Sequence, residues 1–531
     1  DATYPYMYMI NGEIHYLEKH KWPTRQFNES RAANWLNAGV PWPDKTGWDT
    51  MTPETMGDAL GIDTDANGRV TSIDMWRINP RNHGNNNPGF YGNNLAGTLP
   101  PEINNLHKLE YFAIKQNFFI GEIPDISNWS NIRELSFGGQ DQYLITDRRS
   151  EWHGASHWSG LAADLGKRVV TTNNFKTEIP SLNDMPNLKL VELRNQFLIG
   201  TMPDWTNLPS MTGIFVDVPR YVPENMIGGT LPDSWGNLAT TSFFNLDRLN
   251  LTGDFPQTIN DNWENLAMIS IKENSFTGPV PEFLKSRDKR YVRLSDNEFT
   301  GGFPSGYFNG DNAQMTLWQI TRLNLGGELP QSISTPTYPK VLPNYAIDAP
   351  DIGGNNFTGP FPEWFQTMLG IQTFGIQGNN FTGPFPELMM DQNNLKTFRI
   401  NGNEFSGPLP DRQWGDKSIN WFFITRNNFT GEVPNSWISL FQDENGNWHT
   451  SYREVGWNDN ELSGRIPTWI INTGATHFII SNNRYTFKDI IPVYDTLNNN
   501  IDNFEVFPQK PFGKVQTRTM PEGETVVFDL S

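Results

Sequence analysis

The chain has 531 residues, with 46 Gly, 38 Pro, 37% apolar residues, no Cys and a formal net charge of -19. One globular core rarely grows that long, so the length calls for about three domains or for a repeat array, and the Gly and Pro content favours many short elements. The acidic balance excludes nucleic acid, which needs clustered positive charge, and the lack of Cys excludes disulfides and thiolate chemistry while leaving secretion open.

The chain begins with "DATYPYMYMI", which has no basic region followed by an apolar stretch, and no run of about 18 apolar residues occurs anywhere. No transmembrane segment is therefore expected. Residues 1–69 read as an N-terminal cap that ends in "GIDTDANGRVTSIDM". Asn67-Gly68 before a β run is a strong hairpin signal, leading into a first strand at Val70, Ile73 and Met75. Asp63, Asp65, Asn67 and Asp74 also fit a calcium loop superficially, and the hairpin is the preferred reading.

From residue 70 to 495 the chain repeats Gly-x-apolar-Pro about every 23 to 26 residues, giving about fifteen coils. The clear unit "LKTFRINGNEFSGPLP" has Leu395, Phe398, Ile400, Asn403 and Phe405 in an L-x-x-L-x-L-x-x-N-x-L frame. Phe398 and Ile400 point to one face of a short strand, and Thr397, Arg399 and Asn401 point to the other. A buried amide needs hydrogen bonds, so the recurring Asn is expected to bond the backbone of its own coil and the adjacent one. Asn93, Asn117, Asn274, Asn297, Asn355, Asn379, Asn403, Asn427, Asn460 and Asn483 form this ladder, Gln196 substitutes once, and Leu249 and Leu323 are expected to be weak rungs.

The period is interrupted near 77–92, 138–172, 218–226, 334–346 and 442–451, where insertions should emerge as loops. In the second of these, His153 and His157 stand four apart with Glu151 nearby, a metal-like spacing that lacks a third ligand. Ordinary surface histidines are the preferred reading. No nucleophile elbow, phosphate loop or zincin motif occurs, so no catalytic residue and no cofactor is expected. Sequons at Asn250, Asn356, Asn380 and Asn428 arise from the repeat itself.

The Gly-x-apolar-Pro segment resembles the plant-type leucine-rich repeat family of receptor-kinase ectodomains and polygalacturonase inhibitors, and also surface-exposed leucine-rich repeat lipoproteins of gut bacteria. That resemblance implies an α/β-type repeat solenoid, a right-handed superhelix with a parallel sheet on the concave face and short 3-10 or irregular segments on the outer side. It also makes "NWLNAGVPW" the helix of the N-terminal cap. Plant caps usually carry cysteine pairs. Their absence favours the bacterial branch, which implies a cell-surface location, a lipid anchor on an outer membrane outside this sequence and membership of a nutrient-import complex. Residues 496–531 alternate apolar with polar and read as a C-terminal β cap or the start of a truncated β domain.

The strand face that does not build the core carries large aromatics and arginines, the residue types that dominate binding hot spots. In register these include Tyr111, Lys115, Glu192, Arg194, Phe215, Asp217, Phe243, Asp247, Arg248, Lys272, Tyr291, Arg293, Gln319, Arg322, Gln377, Arg399, Trp421, Phe423 and Arg426. The candidate ligand residues are Trp421, Phe423, Arg399, Arg426, Arg322, Tyr291, Arg293, Phe243, Arg248 and Phe215. A non-enzymatic extracellular protein that binds a polypeptide or protein partners is the first expectation. A glycan-binding surface module is the second, because aromatic platforms with Asn, Gln and Arg also suit sugars.

Overall fold

The computed structural model describes residues 7–10, 13–16, 62–75, 96–115, 118–138, 174–194, 196–218, 226–281, 291–302, 317–332, 348–366, 371–392, 394–415, 419, 421–442, 446–448 and 454–511. His153, His157, Asn93, Asn117 and most of the N-terminal cap lie outside the described residues. The chain forms two compact units, residues 1–277 and 278–531.

In the first unit, the strand Ile62–Thr64 pairs antiparallel with Val70–Asp74, which makes the expected hairpin. All further pairings in this sheet are parallel and follow chain order through Tyr111–Ala113, Glu134–Ser136, Leu190–Arg194, Gly213–Asp217, Phe243–Asp247 and Met268–Ser270. In the second unit, the order is Tyr291–Arg293, Leu317–Gln319, Asp348–Asp351, Thr373–Gly375, Thr397–Arg399, Trp421–Phe423, Glu454–Gly456, His477–Ile479 and Asn503–Glu505. One strand per coil, each paired with the next coil, is what a solenoid repeat builds.

The outer side carries more regular structure than the expected short 3-10 or irregular segments alone. Short 3-10 helices do occur, such as Pro101–Asn105, Asp233–Asn237, Glu387–Asp391 and Asn435–Leu440. Before them, however, the Asn-Phe-Thr-Gly segments pair into a second parallel sheet, with seven strands from Thr300–Gly301 to Glu461–Leu462 in the second unit. The extended segment has free backbone groups, and stacking coils in register pairs them. The twice-written "NNFTGPFP" is therefore strand as well as turn. Its Phe357 and Phe381 are buried and stack with Phe405 and Phe429 at centroid distances of 6.2, 6.4 and 6.4 Å. Its Gly359 and Gly383 have φ of +75° and +95°, which only glycine adopts without strain.

The asparagine ladder has the expected form. Asn403 Nδ2 donates to Ile376 O at 2.9 Å in the preceding coil and to Ile400 O at 3.0 Å in its own, while its Oδ1 accepts the Phe381 N–H at 3.1 Å. Asn355, Asn379, Asn427, Asn460 and Asn483 repeat the pattern. Gln196 serves similarly, accepting from Phe175 N and donating to Arg194 O. At the weak rungs, the backbone of Leu249 and of Leu323 is reached by Asn274 and Asn355 from the following coil.

A second ladder was not anticipated. Buried Trp205, Trp235, Trp364 and Trp437 donate their indole N–H to the carbonyls of Pro180, Pro203, Pro330 and Pro410, each in the preceding coil. Beyond the last repeat, the period predicts an outer turn at Pro492, but Phe487–Asn498 is an α-helix that contains Pro492. A capping box starts it, with Asp489 Oδ2 accepting the Thr486 N–H and hydroxyl at 2.8 Å each. The helix extends past residue 496, so β structure in the expected terminal cap starts only at Asn503.

Candidate functional site

In the first unit, the sheet face away from the core is a lattice of charges paired with one another. Glu192, Asp217 and Asp247 are buried there. Glu192 Oε2 accepts from Ser136 Oγ at 2.9 Å and pairs with Lys115, and Arg194 Nε lies 3.4 Å from its Oε1. Asp247 Oδ1 accepts from Ser270 Oγ at 2.7 Å and from Lys272 N at 3.1 Å. Arg248 donates to Val218 O at 2.8 Å and stands 3.9 Å from both Asp217 and Glu273. The Arg194 guanidinium covers the Phe215 ring at 4.4 Å. Phe215 and Arg248 are thus engaged with neighbouring coils, and Phe243 is the exposed aromatic of this face among the described residues, at 47%.

The second unit's open face is built differently. Near its start Arg293 repeats the inward pattern, lying 4.9 Å from the Tyr291 ring centre and donating from Nε to Gln319 Oε1 at 2.9 Å. Further along, backbone register places Asp351, Gly375, Arg399, Phe423 and Gly456 side by side on successive strands. Trp421, two residues before Phe423, points to the same side because strand side chains alternate. Their rings stack at 6.2 Å, and Trp421 is 50% exposed. Gly456 leaves the far flank of Phe423 without a side chain. The Arg399 side chain stands in no hydrogen bond or ion pair among the described residues and acts on Asp351 through its charge.

The Asp351 carboxyl bends over Gly375, where an added Cβ would stand 2.7 Å from Asp351 Oδ1. Burial pushes this carboxyl up, and the Gly353 N–H, the Arg399 charge, the Gln377 amide and the Arg322 charge only partly offset it. An acid raised on folding holds its proton more tightly in the folded state. Its contribution to stability is full below the ordinary value of 3.8 and is lost as pH rises through the folded value. Asp351→Asn is therefore expected to raise the urea midpoint at pH 7, with the gain vanishing at pH 3. A lowered midpoint at pH 7, or the same gain at both, contradicts this assignment.

The residue that closes the strand, just before the ladder position, is left-handed in these coils. Arg248, Glu273, Asp296, Arg322, Arg426, Asp459 and Asn482 have φ between 52° and 64°, and Gly354, Gly378 and Gly402 lie at 64° to 67°. A non-glycine residue in this region costs roughly 1–2 kcal/mol. Arg322 makes two hydrogen bonds to Asp296, one of 2.6 Å, whereas Arg426 only approaches Asp459 at 3.9 Å with its side chain 78% exposed. An exposed pair contributes at most about 1 kcal/mol, so Arg426 is not retained for stability.

At the N-terminal hairpin, Asp65 Oδ1 accepts the Asn67 and Arg69 N–H groups, and its Oδ2 accepts from Arg69 Nε at 2.7 Å. Arg69 holds that carboxyl down at about 2. Asp63 is paired with Ser72 in the hairpin, and Asp74 faces Ala113 in the next strand, so the four candidate calcium ligands are spread along two strands and a turn. Among the described residues no group of three His, Cys, Asp or Glu could hold a metal ion, and no helix is long and apolar enough to cross a membrane.

No protein-family profile matches the chain. Receptor-like protein 32 of Arabidopsis thaliana is 25% identical over 243 residues, 41% of this chain and 27% of that protein. Receptor-like protein 35 of the same plant is 28% identical over 296 residues, 50% of this chain and 31% of that protein. The chain spans less than a third of the length of these curated relatives. Among solved structures, the plant peptide hormone receptor RGFR1 in complex with RGF2 gives a TM-score of 0.58 at 20% identity, covering 80% of this chain and 60% of that one. The leucine-rich repeat ectodomain of the Arabidopsis thaliana membrane receptor kinase GASSHO1/SCHENGEN3, in complex with CASPARIAN STRIP INTEGRITY FACTOR 2, gives 0.54 at 18% identity, covering 88% and 54%. At these identities the likeness establishes the fold, a leucine-rich repeat solenoid.

Proposed function

We propose that this leucine-rich repeat solenoid, similar to plant receptor-like proteins, is a non-enzymatic extracellular recognition protein that binds an extended polypeptide on the open sheet face of residues 278–531. The carrying observation is the stacked, solvent-facing Trp421 and Phe423 beside Arg399, a cation that forms no ion pair among the described residues. The first unit's face neutralises its own charges, and this one leaves aromatic area and charge for a partner. One neighbour of the same fold is named a peptide hormone receptor in complex with RGF2, which supports a polypeptide as the occupant. The outer-membrane importer role draws no such support, since the relatives above are plant receptor proteins.

Probing the immobilised chain in parallel with a random-peptide display library and a glycan array tests this reading. Peptides are expected to be enriched, with enrichment lost in Trp421→Ala. Recovery of sugars alone, lost in the same variant, would make the chain a glycan-binding module. Peptide recovery that Trp421→Ala leaves unchanged would move the site elsewhere.

A further inference from the structure

The left-handed row that closes the strands of the second unit reads Asp296, Arg322, Gly354, Gly378, Gly402, Arg426, Asp459 and Asn482. Its members lie one per coil, and the backbone N–H of each donates to the next coil: Arg322 to Gly353 O, Gly354 to Gln377 O, Gly378 to Asn401 O, Gly402 to Thr425 O and Arg426 to Asn458 O. The row is therefore a continuous line along the edge of the open face. Three consecutive glycines occupy its middle, and an arginine flanks them on each side.

The conformation alone does not require those glycines, because Asp, Arg and Asn hold the same φ elsewhere in the row. Nor does the conformation favour the arginines, since glycine adopts it freely. Position by position, the chain has omitted side chains over the middle coils and kept two long cations where they are strained. Strain retained in this way points to a role outside the fold. The Arg322 stem lies down along the line, for a Cβ on Gly354 would stand 2.8 Å from Arg322 Cγ. A Cβ on Gly378 or on Gly402 would meet only the backbone of the preceding glycine, no nearer than 3.4 Å. The middle of the line is thus bare backbone, with the exposed Arg426 side chain at its far end.

Resting on the reading that this face binds a polypeptide, we propose that Gly354, Gly378 and Gly402 form the floor of a track for an extended acidic segment, and that Arg322 and Arg426 hold two of its carboxylates. Four coil steps separate the arginines, about 19 Å at the spacing of paired strands. An extended chain covers that distance in about six residues. The glycine floor lets the segment's backbone come close, and each guanidinium can take a carboxylate through two parallel hydrogen bonds. Binding requires Arg322 to exchange Asp296, and Arg426 to exchange its long contact with Asp459, for the ligand.

The test uses the whole chain and synthetic decapeptides with one central Phe and two Glu placed two to nine positions apart, each with a Gln counterpart, measured by fluorescence polarisation. Peptides with the Glu pair five to seven positions apart are expected to bind at least about tenfold tighter than their Gln counterparts. Arg426→Gly and Arg322→Gly should each abolish that preference while giving a Tm no lower than the parent's. Equal affinity of the Glu and Gln peptides, or a preference that survives both variants, overturns the track. If Glu and Gln peptides bind alike and Trp421→Ala releases both, the track falls and peptide binding at Trp421 stands. If no peptide binds at all, both fall.

Discussion

Asn403→Ala lowers the unfolding free energy by about 2 kcal/mol, the expected loss for stranding one buried backbone donor and weakening its neighbours. The Phe381 N–H has Asn403 Oδ1 as its ladder partner at 3.1 Å and is left inside the core without it. The two carbonyls lose less, because each is shared: Ile376 O also accepts from Asn379, and Ile400 O also accepts from Asn427. Sharing makes the rungs interdependent, so Asn403→Ala with Asn427→Ala should exceed the sum of the single variants, since Ile400 O then loses both amides. Urea unfolding measures each effect. A single-variant loss below about 0.5 kcal/mol, as for an ordinary surface substitution, would remove the ladder from the account of the fold.

Trp421→Ala has its largest expected effect on affinity, a loss of at least about 2 kcal/mol or roughly thirtyfold, as for a central aromatic anchor. Trp421 contributes little to the core, being half exposed and, among the described residues, stacked on Phe423, so its removal should leave the urea midpoint unchanged. Arg399→Ala is expected to weaken binding less on its own. It also leaves Asp351 with one cation fewer, so part of its effect should disappear in an Asp351→Asn background. Isothermal titration against the peptide recovered by display separates these contributions.

The repeat made the solenoid legible before any coordinates, because period, buried Asn and alternating strand residues are properties of neighbouring letters. Asn403 and Phe398 needed only that arithmetic. The outer sheet was hidden because Asn-Phe-Thr-Gly reads as turn chemistry, and its pairing partners lie a full coil away. Pro492 misled for a related reason: it keeps the period, yet Thr486 and Asp489 cap a helix around it. For the open face, the sequence supplied residue types and register but not engagement. Arg248 and Arg426 occupy the same left-handed position, yet Arg248 is held by Val218, Asp217 and Glu273 while Arg426 projects into solvent. Asp351 escaped notice because its weight comes from lying over Gly375, a contact across coils. The left-handed row gave one signal in sequence, the change from Gly402 to Arg426 before otherwise equivalent ladder asparagines.

The central claim is that the ligand lies on the second unit's open face and that the first unit's face is structural. The matched pair Phe243→Ala and Trp421→Ala tests it most directly, since each removes an aromatic of similar exposure, 47% and 50%, from one of the two faces. With the displayed peptide as probe, Trp421→Ala is predicted to lose at least about thirtyfold in affinity and Phe243→Ala less than about twofold. Loss at Phe243 with full affinity retained at Trp421 would contradict the account.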